Sequence, residues 1–271
     1  MPRRRLAAAL ARAPWLAAAA ATAAAGCGSL APGELPPAAT PAASPPAAAA
    51  PAGRVVPAGA APAAERLVSR PGGRITVGSR TVELLERQNA VRVLEDGREV
   101  ARARTGLQPA ALTLLEEGRL VAVLSVRERV LELFDARTLA RAGRASAGSG
   151  PAGVVSNGDN YLYITDTTAG AVLIFRRAGG ELRLDRRYRL ADAPYAIDYD
   201  RVNRRLWVTL TASNELVELS AGRRPRELRR FAAVRQPNAV AVAPRSGRVV
   251  VAGAAGNLVQ LLDPPPPARD G

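Results

Sequence analysis

From residue 108 onward the chain repeats one short motif, and that repeat limits what it can fold into. The copies are Gln108-Pro109-Ala110-Ala111-Leu112, Gly150-Pro151-Ala152-Gly153-Val154, Ala193-Pro194-Tyr195-Ala196-Ile197 and Gln236-Pro237-Asn238-Ala239-Val240. Their prolines are spaced by 42, 43 and 43 residues. Between them, short apolar runs alternate with Gly, Asn and Asp, which mark strands and the turns that join them. The third unit is the clearest: a strand from Pro151, the turn Ser156-Asn157-Gly158-Asp159-Asn160, strands at 161–166 and 171–175, and an Arg-rich strand at 182–188. A unit this small cannot bury a core alone and must stack on its neighbours.

Four strands repeating every ~40–45 residues is the pattern of propeller blades. The expected class is therefore all-β, a small β-propeller. A shorter first unit without the proline reads from strands at 74–77, 81–86, 90–94 and 98–104, and the last unit stops after three strands at Asp263. A ring ending there would leave an open sheet edge, which folded proteins avoid. Arg66-Leu67-Val68-Ser69-Arg70 is expected to supply the missing outer strand, so that five blades close with a strand shared between the termini.

The repeat resembles the YVTN-type β-propeller repeat, in which a Pro-initiated strand is followed by a "YVTN"-like strand and then a "VxVID"-like strand. The matching second strands are Leu162-Tyr163-Ile164-Thr165-Asp166, Leu206-Trp207-Val208-Thr209-Leu210 and Val249-Val250-Val251-Ala252-Gly253. The resemblance covers roughly residues 74–263 and implies architecture without chemistry.

Residues 1–27 carry the features of an export signal: Arg3, Arg4 and Arg5, then a short apolar stretch at 13–25. The arginines leave both the general and the twin-arginine route open. The stretch ends in Ala24-Ala25-Gly26-Cys27, and Cys27 is the only cysteine of the chain. This resembles the lipobox of bacterial lipoproteins, with Ala24 where that family usually has Leu. The resemblance implies cleavage before Cys27, lipidation of its thiol, and anchoring to the outer face of the cell membrane. Residues 28–64 are nearly all Ala and Pro and are expected to form a disordered stalk. The propeller is expected over 65–263, and a disordered tail over 264–271.

Histidine is absent and all 38 basic residues are arginine, so no Ser-His-Asp triad or imidazole base can be built. The net charge of +14 suits anionic surfaces, but no basic run is interleaved with aromatics, and nucleic acid is not an expected partner. Residues flanking the prolines should face the mouth of the ring. The polar ones, Gln108, Tyr195, Gln236 and Asn238, are the candidate ligand-binding set, with capping of loop backbone as their competing role. Asn89, Asn214 and Asn257 each precede a third strand and are expected to serve as turn residues. Asp159, Asp166, Asp198 and Asp200 are too scattered to predict a metal site. No cofactor is implied. Function is expected to be binding or scaffolding at the envelope, with an envelope protein or cell-wall polymer as partner. The alternative is a lactonase-like or lyase-like propeller enzyme.

Overall fold

The computed structural model describes residues 35–68 and 73–265. Cys27 and the signal-like segment lie outside the described residues. Among those described, the chain forms five four-stranded antiparallel sheets, a β-propeller-like arrangement. Strand β1 (Arg54–Pro57) and helix α1 (Pro62–Val68) come first. The first sheet is β2 (Arg74–Val77), β3 (Arg80–Leu85), β4 (Ala90–Glu95) and β5 (Arg98–Arg104). The second is β6 (Pro109–Leu115), β7 (Leu120–Ser125), β8 (Val130–Asp135) and β9 (Arg141–Ser146). The third is β10 (Pro151–Ser156), β11 (Tyr161–Asp166), β12 (Ala171–Ala178) and β13 (Glu181–Arg189). The fourth is β14 (Pro194–Asp200), β15 (Arg205–Leu210), β16 (Glu215–Ser220) and β17 (Glu227–Ala232). The fifth holds β18 (Pro237–Val242), β19 (Val249–Gly253) and β20 (Leu258–Leu262), with β1 on its outer edge.

Burial explains the sequence of each strand. The second strands are sandwiched between neighbouring sheets, so β7 is buried at every position and apolar on both faces. The fourth strands are outer edges, and the Arg-rich β5, β9, β13 and β17 are largely exposed. Charged edges resist pairing with other chains. Four apolar clusters fill four successive seams: Val82 to Phe134, Leu115 to Phe175, Tyr163 to Leu219, and Trp207 to Leu262. The inner strands β6, β10, β14 and β18 neighbour one another in that order. Pro109, Pro151, Pro194 and Pro237 each open an inner strand, and each is followed by a register shift against the second strand. A proline at the first residue of a strand gives up no ladder bond that a bulge has not already relaxed.

One expectation is corrected. The closing strand is not 66–70: Arg66, Leu67 and Val68 belong to α1, and Ser69 and Arg70 lie outside the described residues. The strand comes from Arg54–Pro57, inside the expected stalk, with Val56 opposite Val259 and Val55 packed on the fourth seam. Local chemistry separates the two segments. Pro62 starts the helix, where a missing N–H costs nothing, and Ala63, Ala64, Glu65 and Leu67 are good helix formers. The Glu65 carboxylate also accepts from Gly59 N and Ala61 N at 2.8 and 3.0 Å. The two β-branched valines suit a strand instead. Gly53, at φ 75, leads into β1 with the Leu261 carbonyl 2.4 Å from where a Cβ would stand.

Candidate functional site

The end of the ring where the inner strands begin is built by turn chemistry. The residue before each third strand lies in the left-handed region: Asn89 (φ 47), Arg129 (φ 60), Gly170 (φ 57), Asn214 (φ 57) and Asn257 (φ 51). The three asparagines thus take the turn role expected of them. Asn89 and Asn214 do more, because their Oδ1 atoms accept from Gln108 N and Gln236 N, each at 2.8 Å. Those bonds hold Gln108 (φ 56) and Gln236 (φ 51) in strained left-handed geometry just before the proline. In the third sheet Asp166 replaces the asparagine, accepting from Ser149 N and Gly150 N at 2.9 and 2.8 Å. A Cβ on Gly150 would meet Thr168 Oγ1 at 2.0 Å, so only glycine fits.

All four candidate ligand residues therefore stand at one end of the ring, but they do not form one cluster. No hydrogen bond joins any two of them among the described residues. Gln108 is exposed and committed through its backbone to Asn89. Gln236 shares the backbone role and also donates from Nε2 to Ala42 O at 3.4 Å. Tyr195 is half-buried, which pushes its phenol pKa upward, and its carbonyl accepts from Thr165 Oγ1 at 2.6 Å. Asn238 is half-buried on β18.

Sequence reasoning missed Thr211 and the Pro/Ala segment itself. Thr211 Oγ1 accepts from Ala42 N at 3.0 Å, and Thr211 O accepts from Ser44 Oγ at 2.8 Å. Asn214 Nδ2 donates to Pro45 O at 2.9 Å. Residues expected to hang free thus lie across the proline end.

The carboxylates are spent elsewhere. Asp200 closes its own turn through Val202 N, Asn203 N and Asn203 Nδ2. Asp198 reaches across to the fifth sheet and accepts from Val242 N at 2.7 Å; burial pushes its pKa up, against the pull of its backbone hydrogen bonds. Among the described residues no three His, Cys, Asp or Glu side chains converge as they would around a metal ion. Tyr163 and Trp207 are fully buried. The Tyr163 phenol, pushed up to about 12 by desolvation, accepts from Gly222 N at 2.7 Å. Packing, not ligand contact, accounts for both rings.

The opposite end carries a cleft of about 530 Å³ between the first and second sheets. Ile75, Val82 and Leu114 line its floor, and Arg80, Arg119 and Arg177 its walls. Those arginines are paired, Arg80 with Glu95 at 2.9 Å, and Arg119 and Arg177 both with Glu116 at 2.8 and 2.5 Å. The cleft is thus cationic at its rim but largely neutralised within.

No family model matches the chain, and no curated protein matches it. Solved structures do. A functionally unknown protein from Desulfotomaculum acetoxidans DSM 771 aligns with a TM-score of 0.59 at 13% identity, over 66% of this chain and 61% of that one. A chain of the mitotic checkpoint complex aligns at 0.61 and 11%, over 70% and 62%. Dihydro-heme d1 dehydrogenase NirN, in complex with DHE, aligns at 0.56 and 17%, over 73% and 45%. The chain spans less than two thirds of each. At such identities the likeness shows the fold alone. Among the described residues no helix is long and apolar enough to cross a membrane.

Proposed function

We propose that this chain is an exported lipoprotein, anchored through lipid on Cys27, whose five-bladed YVTN-type propeller serves as a binding or scaffolding module at the cell envelope. The observation that carries the binding role is the proline end of the ring. Thr211, Asn214 and Gln236 there present hydroxyl, amide and carbonyl groups to an extended chain, and all of their bonds to it are hydrogen bonds. Such groups hold and orient a ligand; they are not proton carriers near neutral pH. The five-blade count rests on the five four-stranded sheets, the fifth completed by a strand from upstream of the ring. Export and anchoring rest on the Arg3-Arg4-Arg5 to Cys27 pattern. One diacyl group plus an N-acyl chain buries enough methylene for stable anchoring, whereas one chain is marginal.

Metabolic labelling with a fatty acid tests the anchor: the wild type should incorporate label and the Cys27→Ser chain should not. Label persisting in the variant sinks the lipoprotein reading. In the same cells, a partner captured from the envelope by the wild type should be lost when Tyr195 and Asn238 are both replaced by Ala, with the melting transition retained.

A further inference from the structure

Residues 36–49 read Pro-Pro-Ala-Ala-Thr-Pro-Ala-Ala-Ser-Pro-Pro-Ala-Ala-Ala and take neither helix nor strand. A chain of this composition has no apolar face of its own and is fully solvated when extended. Its placement therefore comes from what the ring offers. Ala38 packs on the apolar cluster shared by the second and third sheets. Further along, Ala42 is held through both its N–H and its carbonyl, by Thr211 Oγ1 and Gln236 Nε2. Pro45 O accepts a hydrogen bond from Asn214 Nδ2, and Ser44 Oγ donates to Thr211 O. The path ends where Ala52 N meets Ala232 O and the chain enters β1.

Three of those four side-chain bonds reach the backbone of the segment, so what is recognised is an extended main chain with small side chains. Two of the receptor groups are also held by bonds within the ring. Thr211 Oγ1 donates to Ala193 O at 3.1 Å, which turns its lone pairs toward Ala42 N. Asn214 Oδ1 is engaged by Gln236 N at 2.8 Å, which aims the amide NH₂ at Pro45. Donors and acceptors already held in place cut the ordering cost of binding an extended main chain.

We propose that the proline end of the ring is a binding site for extended, proline- and alanine-rich polypeptide. Residues 36–49 are its resident occupant, and a partner segment of the same chemistry binds by displacing them. The proposal rests on the binding-module reading above and names its ligand class. The tether gives the resident segment an effective concentration on the order of millimolar. An incoming segment therefore competes poorly until the resident one is released.

The test uses a full-length chain in which residues 36–49 are replaced by a Gly/Ser sequence of equal length. The probe is a fluorescent synthetic peptide of residues 35–49, followed by anisotropy. The replaced chain should bind it at least about tenfold more tightly than the wild type does. Adding Gln236→Ala, which removes only the contact to Ala42 O, should weaken that binding severalfold. A replaced chain that melts cooperatively yet shows no saturable binding, or binds no better than the wild type, overturns the proposal. A second measurement keeps the question open to refutation if the replaced chain does not fold. A nitroxide on Ala43→Cys, an exposed position with no bond to the ring, in a chain carrying Cys27→Ser, should be immobilised and become mobile with millimolar peptide. A label already mobile without peptide overturns the proposal. A replaced chain that captures an envelope partner but ignores the peptide refutes the ligand class and leaves the binding module standing. Peptide binding without any captured partner supports the ligand class and counts against the wider envelope role.

Discussion

Asn89 and Arg129 occupy the same turn in neighbouring sheets, at φ 47 and φ 60, and only the asparagine suits it. Its side chain tolerates left-handed backbone and caps Gln108 N, whereas Arg129 leaves its Nε buried without a partner. The asparagines were legible in the sequence because this chemistry is local. Thr211 was not, because its partner Ala42 lies 169 residues away and nothing about a threonine in a turn announces it. Asp198 was visible only as a stray carboxylate, and its cross-sheet bond to Val242 N gives it a measurable signature. Burial raises its pKa in the folded state, so the native protein keeps the Asp198 proton at pH values where the unfolded chain has released it. The linked stability is then complete below the ordinary Asp value of about 4 and is lost as pH rises through the folded value. Thermal melts of the wild type and Asp198→Asn, taken from about pH 3.5 to 7, should show the wild type losing ground to the variant by a few degrees as pH rises. A gap between the two that stays constant with pH rules out this carboxyl as the source.

At the scale of elements, the strands declared themselves through repetition, and 74–77, 90–94, 98–104 and 161–166 were read to within a residue. The closing strand was misread because β1 is only four residues long and is flanked by Ala and Pro, so composition pointed to a stalk. Cross-strand pairing with β20, more than 200 residues away, decides its structure. The correction changes what truncation should do. Deleting residues 1–50 keeps β1 and should leave a cooperative melt close to that of the full chain. Deleting residues 1–60 removes Val55 from its apolar cluster and strips the cover from β20. Val55 is half-buried, so its loss should cost less than the roughly 1.5–3 kcal/mol of a fully buried valine, and the bare edge invites aggregation on heating. If the two truncated chains melt alike, β1 does not close the sheet.

For the molecule as a whole, the seams between sheets are unequal. Four are filled by apolar clusters rich in fully buried Leu, Val, Ile and aromatic side chains. Beside the fifth sheet, α1 packs against β18 and β19, and none of its residues is buried. In the first sheet, Arg74, Thr76 and Val77 of β2 are exposed, and none of the four apolar clusters joins that sheet to the fifth. In a ring of repeats each unit holds only its neighbours, so the least apolar seam sets the free energy of local opening. Native-state hydrogen exchange should therefore divide the amides into two groups. Those of α1, β2 and the β2 side of β3 should exchange through an opening with little denaturant dependence, because little surface is exposed. Those of β11, β12, β15 and β16, buried between filled seams, should exchange only through global unfolding, with the full denaturant dependence. Enlarging a half-buried side chain of α1, as in Ala64→Leu, is expected to slow exchange in α1 and leave β15 unchanged. Uniform exchange across all five sheets in the wild type would show that the ring is equally tight all round, and that α1 seals its seam as well as the apolar clusters seal theirs.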